Sequence, residues 1–326
     1  MNTRKHDSLT EDSSSSSRLV SRPKFRTDIE GLRAIAILLV IAYHADLPGF
    51  KGGYVGVDIF FILSGYLITW LLVHEIEDTG TIDLVHFYSK RAKRLLPVLA
   101  LILLVTTIIA VVIYSPLEQV ELAKTALSTS THLSNIYFAE AAVDYLRTAS
   151  LSAPLLHTWS LSVEEQFYFV WLLFMLTASG VLRKWKWSIN RSRLFSGIAI
   201  ITIVSFSLSL YLTKTQQTWA FFLYLTRVWE FSIGTLGILI PVGSLNLKPN
   251  KILNIPHALK LCADQVIKAK EIIGFLGLLG IFTSAVFFNE LTLFPGLAAL
   301  LPALSTVVIL RSCATGPTTW TARFLR

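Results

Sequence analysis

The stretch RAIAILLVIAYH, residues 33–44, has an ionisable residue at each end of an otherwise almost wholly apolar run. His44 follows Arg33 by eleven positions, which is about 1100° of rotation in an α-helix and lies about 20° from three full turns. Both side chains therefore leave the same face of the helix, about 16 Å apart along its axis. The run predicts a membrane-spanning helix with Arg33 at one end and His44 in the opposite half.

The composition of the whole chain indicates an integral membrane protein. Of its 326 residues, 53% are hydrophobic and only 15% are charged, whereas about a quarter of the residues in soluble domains are charged. We therefore predict an all-α, polytopic helical bundle with about eight transmembrane helices. The predicted spans are residues 31–47, 55–73, 95–114, 159–180, 194–212, 218–240, 271–288 and 291–310.

The distribution of positive charge predicts how these spans are oriented. Residues 1–27 are hydrophilic and lack the apolar core of a signal peptide, so we expect a disordered cytoplasmic tail. With the N-terminus inside, all but five of the 29 Lys and Arg residues fall in cytoplasmic segments or at their edges, as the positive-inside rule requires. Topology therefore accounts for the net charge of +8, and no nucleic-acid partner is predicted. The two cysteines form no metal-binding pattern, so no metal is predicted either.

Ionisable residues inside the spans are candidates for function, because a charge at the centre of a bilayer costs about 2.5–3.5 kcal/mol on insertion scales. Asp58, in the second span, lies at a depth similar to that of His44. A carboxylate beside a histidine can orient the imidazole for general-base catalysis. The structural alternative is that Arg33 extends to the interface while His44 and Asp58 form packing hydrogen bonds.

Two further spans contain charged residues. Glu164 and Glu165 are adjacent in the fourth span, and their side chains point about 100° apart, so at most one of them easily shares a face with a given partner. In the sixth span, Arg227 and Glu230 have the i, i+3 spacing of an intrahelical ion pair, for which we predict a structural, charge-neutralising role.

A basic cluster follows the second span, in the segment FYSKRAKRLLP, residues 87–97. It comprises Lys90, Arg91, Lys93 and Arg94. Anchoring at the cytoplasmic face explains such a cluster, and so does an anionic, phosphate-bearing donor held by arginine. A polar site in the outer half of the bundle, together with a basic cluster at its cytoplasmic face, fits an enzyme that passes a group across the membrane. The same layout fits a proton-coupled transporter.

Six segments, in this order, carry a resemblance to a known family. The segments are DIEGLRAIAILLVIAYH (28–44), GGYVGVDIFFILSGYLIT (52–69), FYSKRAKRLLP (87–97), HTWSLSVEEQFY (157–168), RVWEFSIG (227–234) and FPGLAALLPAL (294–304). Through them the chain resembles the membrane acyltransferase 3 family of bacterial integral-membrane O-acyltransferases, to which the O-antigen acetylases belong.

The resemblance implies a reaction and a location. An acyl group, expected to be acetyl, passes from cytoplasmic acyl-CoA to a hydroxyl of an extracytoplasmic cell-envelope glycan such as lipopolysaccharide. The protein is then a multi-pass protein of the bacterial inner membrane, with acetyl-CoA as donor, the lipid bilayer and the glycan acceptor as partners, and no metal. Residues 28–326 form the membrane acyltransferase domain.

The resemblance also assigns roles to individual residues. The family's arginine, ten residues, histidine motif falls on Arg33 and His44. His44 is expected to deprotonate the acceptor hydroxyl or to carry the acyl group briefly. Catalytic support is expected from Asp58, Glu164 or Glu165, which orient His44 or relay its proton. Arg33, Arg91 and Arg94 are expected to hold the CoA phosphates.

The sequence departs from the family pattern in two places. Lys90 replaces one of two usually adjacent arginines. Family domains usually have about ten spans, the last with a motif like SYSLYLWHWP, and many continue into an SGNH-type esterase domain. The sequence contains neither feature, so we expect a C-terminally shortened member with a separate SGNH-type partner. A proton-coupled transporter or flippase, or an inactive fragment that needs a partner, is the alternative.

Overall fold

The protein is helical throughout the part of the chain that the computed structural model describes, namely residues 26–145, 154–178, 191–239, 257–314 and 320–325. Within those ranges the secondary structure contains no β-strand, in agreement with the predicted all-α class. The predicted cytoplasmic tail lies outside the described residues except for its last two positions.

The described part of the chain contains twelve α-helices. They are α1 (Thr27–His44), α2 (Gly56–Thr79), α3 (Leu84–Ile113), α4 (Pro116–Ser130), α5 (Ser134–Tyr145), α6 (Thr158–Ala178), α7 (Arg191–Thr215), α8 (Gln217–Phe222), α9 (Tyr224–Leu239), α10 (His257–Phe287), α11 (Leu300–Cys313) and α12 (Trp320–Phe324). A short 3-10 helix, Gly53–Val55, leads directly into α2. Local chemistry defines several ends: α2 stops at Gly80, whose φ is 74°, and the Asp83 carboxylate accepts the His86 N–H at 2.9 Å to cap α3.

Four helical segments in the described part of the chain are long and apolar enough to cross a membrane. They are Gly53–Thr79, Leu84–Ile113, Leu194–Thr215 and Ala269–Phe287. These segments support the predicted all-α, multi-pass membrane protein. The predicted number of eight spans is not confirmed.

The other four predicted spans coincide with α1, α6, α9 and α11. Of these, α1, α6 and α9 contain charged residues, and α11 has only 14 residues. The sixth predicted span is divided, because the helix is interrupted at Leu223 between α8 and α9. Much of the first half of the eighth predicted span consists of turns that precede α11.

The core is organised around α2 and α9, which contribute to both of the main apolar clusters. One cluster stacks Phe61 of α2 on Phe231 of α9, with ring centroids 4.6 Å apart, and Phe167 of α6 on the same Phe231 at 4.2 Å. The second cluster packs α1, α10 and α11 around Ile59 and Trp229. Helix α3, by contrast, is mostly exposed along its apolar length, which suits contact with lipid.

Two glycines allow α2 and α9 to approach each other at backbone distance. A Cβ atom added to Gly65 would lie 2.0 Å from the carbonyl oxygen of Phe231, and one added to Gly234 would lie 2.2 Å from that of Ile62. Those distances are far below van der Waals contact, so the helices would have to separate to accept any side chain. Small residues at contacts of this kind are typical of helix pairs in membranes.

We expect Gly65→Ala to lower the free energy of unfolding by about 1–3 kcal/mol, because overpacking forces the two backbones apart. Thermal unfolding of the detergent-purified protein, followed by size-exclusion chromatography, measures the change. Gly197→Ala is the matched control, because a Cβ there meets only the Phe174 ring at an ordinary 3.6 Å. Equal losses in the two variants would contradict the close-approach explanation.

Candidate functional site

A fully buried charged cluster joins α2 to α9. Arg227 donates from Nη1 to Oδ1 of Asp58 at 3.0 Å and to Oε1 of Glu230 at 2.8 Å, and from Nε to the carbonyl of Phe221 at 3.0 Å. Each of the three charged side chains is at most 2% exposed. The predicted ion pair between Arg227 and Glu230 is therefore confirmed, and Asp58 is a second carboxylate on the same guanidinium.

The predicted partnership between Asp58 and His44 is wrong. The Asp58 carboxylate is directed at α9, because a buried negative charge needs a countercharge and Arg227 supplies it. In the described residues, no hydrogen bond or ion pair connects His44 with Asp58, Glu164 or Glu165. A similar depth predicted from the sequence did not make the two side chains neighbours.

His44 is exposed at the C-terminal end of α1. Its Nδ1 lies 2.8 Å from the carbonyl oxygen of Val40, four residues earlier in the same helix. Since a carbonyl only accepts hydrogen bonds, Nδ1 carries the proton and donates it, which leaves the lone pair on Nε2. The ring also contacts Tyr43 edge-on, with centroids 5.2 Å apart. The backbone of α1 therefore orients His44 in the tautomer that a general base requires.

A second polar cluster forms where α2, α3 and α6 meet. Arg91 of α3 donates to Oε1 of Glu165 at 2.6 Å, and its guanidinium lies 3.5 Å from the centre of the Tyr168 ring. Glu164 accepts hydrogen bonds from the hydroxyls of Ser64, at 2.5 Å, and of Tyr168. The two glutamates thus have different partners, in line with the predicted divergence of their side chains.

The three arginines predicted to bind a donor lie in different surroundings. Arg91 is bound to Glu165 inside the second cluster. Arg33 pairs at 3.0 Å with Glu30 of its own helix, and Arg94 is exposed. The structure therefore places the predicted site residues in three locations: His44 at the end of α1, Asp58 beside Arg227, and Glu164 and Glu165 beside Arg91.

His157 is a residue whose relevance was not recognised in the sequence. It lies in the turn before α6, close enough to His44 for their charges to interact. Partial loss of hydration lowers its pKa below the usual 6.5, although the side chain keeps contact with solvent, and the positive charge of His44 lowers it further. His157 opens the HTWSLSVEEQFY segment, but nothing in the sequence indicates that it meets α1.

Ser64, Tyr168 and Arg227 complete the clusters without having been predicted as site residues. No group of three or more His, Cys, Asp or Glu residues that could hold a metal occurs in the part of the chain that the structure describes. The two clusters offer hydroxyls, carboxylates and guanidinium groups.

The lowered pKa of His157 predicts a loss of stability in acid. The unfolded chain takes up a proton near pH 6.5 that the folded chain accepts only at lower pH, so the free energy of unfolding falls as pH drops from about 7 to 5. We expect His157→Gln to flatten this part of the thermal-stability profile. His74→Gln, which changes a histidine near the C-terminal end of α2, should leave the profile as steep as in the wild type.

The charged cluster between α2 and α9 predicts a severe effect of removing its cation. Arg227→Met leaves two buried carboxylates without a countercharge and should cost about 3–5 kcal/mol, so little folded protein is expected. Neutralising the partners in the same chain, by Asp58→Asn and Glu230→Gln, should restore much of the yield of monodisperse protein. A triple variant as unstable as the single one would show that Arg227 acts through packing rather than charge.

The sequence of the chain is similar to those of known proteins. A family profile described as an acyltransferase domain matches residues 26–324. The chain is similar to the peptidoglycan O-acetyltransferase OatA of Listeria monocytogenes, at 33% identity over 250 residues, which cover 73% of this chain and 38% of that protein. It is also similar to the O-acetyltransferase OatA of Staphylococcus aureus, at 40% identity over 165 residues, covering 50% of this chain and 26% of the relative. The matched region is thus well under half of either relative. No solved structure matches the chain.

Proposed function

Because the chain belongs to the acyltransferase-domain family, we propose that it is a membrane-bound O-acyltransferase. It transfers an acyl group, most simply acetyl, from cytoplasmic acyl-CoA to a hydroxyl of a cell-envelope glycan outside the membrane. The names of the two relatives favour acetyl as the group, and that of the Listeria protein favours peptidoglycan, rather than lipopolysaccharide, as the acceptor. The proposal concerns the activity of this chain, which spans well under half of either relative.

The orientation of His44 is the observation that carries the proposal. With Nδ1–H donated to Val40, the lone pair on Nε2 is available to accept the proton of an acceptor hydroxyl. The hydroxyl oxygen then bonds to the acyl carbon as the bond from that carbon to the CoA sulfur breaks, and the thiolate of CoA finally takes the proton. His44 is the base in this scheme, and neither Asp58 nor Glu164 is needed to orient it.

The carboxylates and arginines support the reaction in ways that differ from the roles expected from the sequence. We assign the CoA phosphates to Arg94, which is exposed, and to Arg33, whose partner Glu30 is itself exposed, both on the cytoplasmic side of the proposed topology. Arg91 is instead held inside the bundle by Glu165. Glu164, Glu165 and Asp58 are assigned to positioning, since each has a partner within the bundle. Arginine suits phosphate recognition because its planar fork donates two parallel hydrogen bonds.

The proposed topology has eight spans with the N-terminus in the cytoplasm of a bacterium and the domain in its inner membrane. The asymmetric distribution of Lys and Arg supports it. An SGNH-type domain on a separate partner would complete the pathway in the periplasm or cell wall. Coupled transport is the second candidate, because buried carboxylates such as Asp58 and Glu230 commonly serve as proton sites in membrane transporters.

The test is transfer of labelled acetyl from acetyl-CoA to peptidoglycan by membranes that contain the protein. His44→Ala should reduce the rate by about 10²–10⁴-fold, the usual contribution of a positioned general base. The matched control is His74→Ala, because Nδ1 of His74 likewise lies 3.0 Å from the carbonyl four residues earlier, that of Trp70. The control should retain the wild-type rate.

Two results would contradict parts of the proposal. An active wild type whose His44→Ala variant is equally active rules out His44 as the base. A wild type that transfers no acetyl to glycan but moves protons or acyl intermediates across proteoliposomes favours the transporter.

A further inference from the structure

A pocket on the side of the bundle lies next to the second polar cluster and is not used by the proposed reaction. Its volume is about 400 Å³, within the range of about 300–1,000 Å³ typical of ligand sites. It is bounded by the turn between α4 and α5, by α6 and by the first residue of α9. Its polar residues are Thr131, His132, Glu165, Gln166 and Tyr224, and its apolar wall includes Phe169 and Val170.

His132 occupies this pocket in an unusual backbone conformation. Its φ is 55°, in the left-handed region that favours glycine. Its N–H donates to the carbonyl of Thr129 at 3.1 Å, and its own carbonyl accepts from Nε2 of Gln166 at 2.9 Å. Gln166 is fixed in turn by the Asn135 side chain at 2.8 Å. Strained conformations of this kind persist where the surroundings enforce them, and they cluster at functional sites.

The imidazole of His132 has an unused polar atom. Its Nδ1 is shielded from solvent and has no hydrogen-bond partner among the described residues. Buried polar atoms are nearly always paired, so an unpaired one in the wall of a cavity indicates that the imidazole turns to pair with a further group when that group binds there. This observation is independent of the backbone strain, and both features belong to the same wall of the pocket.

The charges around the pocket restrict what that group can be. Glu165 lines it, whereas its partner Arg91 and every other Lys or Arg of the described residues lie outside the lining, so a phosphate would face the carboxylate first. A neutral group with hydroxyls suits the lining better: it can donate to Nδ1 of His132 and to the Glu165 carboxylate, and accept from the hydroxyl of Tyr224.

The surroundings of the pocket restrict how the ligand arrives. Phe169 is 63% exposed and Leu173, one turn further along α6, is 53% exposed. Helix α6 is the fourth of the predicted spans, and a contiguous apolar surface on a spanning helix is covered by hydrocarbon. A ligand entering past these residues therefore comes from the bilayer, and an attached hydrocarbon chain can lie along α6.

We infer that this pocket binds the neutral, hydroxyl-bearing head of a membrane lipid. The head hydrogen-bonds with His132, Glu165 and Tyr224, while the chain packs on Phe169 and Leu173. The site itself is defined by its lining.

Photolabelling tests the site without depending on catalysis. The protein is reconstituted in nanodiscs, labelled with a photoreactive alkyl glucoside, and mapped by mass spectrometry. We expect labels on residues 131–133 and around Phe169, and competition by dodecyl maltoside but not by equal concentrations of maltose or dodecyl phosphate. Competition by maltose alone would indicate a soluble sugar, competition by dodecyl phosphate an anionic lipid, and either result overturns the inference.

Substitutions at left-handed positions provide the matched variants. His132→Gly removes the imidazole and relieves the backbone strain, so the chain should still fold, and labelling should fall about tenfold, as expected for the loss of a ligand hydrogen bond. Asp46 is the other non-glycine residue with a positive φ among the described residues, at 49°, and it lies outside the pocket. Asp46→Gly should therefore leave labelling unchanged. Wild-type labelling of His132→Gly overturns the inference.

Acetyl transfer, measured on the same preparations, separates the two proposals. Specific labelling that depends on His132, without acetyl transfer, supports the lipid site and contradicts the proposed acyltransferase activity. Acetyl transfer together with unchanged labelling of His132→Gly contradicts the lipid site and supports the proposed acyltransferase activity.

Discussion

The burial of Arg227 between Asp58 and Glu230 is the constraint on which the arrangement of the bundle depends. Charged groups removed from water are tolerated only when they are paired and hydrogen-bonded, so α9 must lie where Asp58 of α2 can reach Arg227. The glycines at positions 65 and 234 make that approach possible, because the backbones touch where a Cβ would not fit. The ion pairs of Arg227 and the two glycines thus favour the same contact, that between α2 and α9, and both apolar clusters form around it.

The position of α6 follows from that of α2. The indole N–H of Trp171 donates to Thr69 at 2.9 Å, and Ser64 donates to Glu164, so α6 is hydrogen-bonded to α2 beside α9, whose Thr235 hydroxyl lies 2.9 Å from that of the same Thr69. The next residue, Glu165, points away from α2 and takes Arg91 as its partner. Two adjacent acids therefore connect α6 to two different helices. Glu165 also lines the pocket on the side of the bundle, together with the turn between α4 and α5.

The sequence was sufficient for the helical class, for four membrane-crossing segments and for the ion pair between Arg227 and Glu230. Those predictions depend on hydropathy and on i, i+3 spacing, which are properties of a single helix. Partners across helices were not predictable in the same way, because a pattern gives the depth and face of a residue but not the helix that its face meets. Asp58 and His44 share a depth and have different neighbours for that reason. The interruption at Leu223 was missed because neither glycine nor proline marks it.

The orientation of His44 changes how the acids are understood. A histidine usually relies on a carboxylate to fix its tautomer, which is why Asp58 was the expected partner. Here the carbonyl of Val40 fixes the tautomer, and His44 is the last residue of α1, where the negative end of the helix dipole attracts the positive charge that develops as the ring takes a proton. The nearby His157 opposes that charge whenever it is itself protonated. Its lowered pKa keeps it neutral at pH 7, so the attraction of the helix end is not cancelled, and the acids of the bundle remain free to hold the helices together.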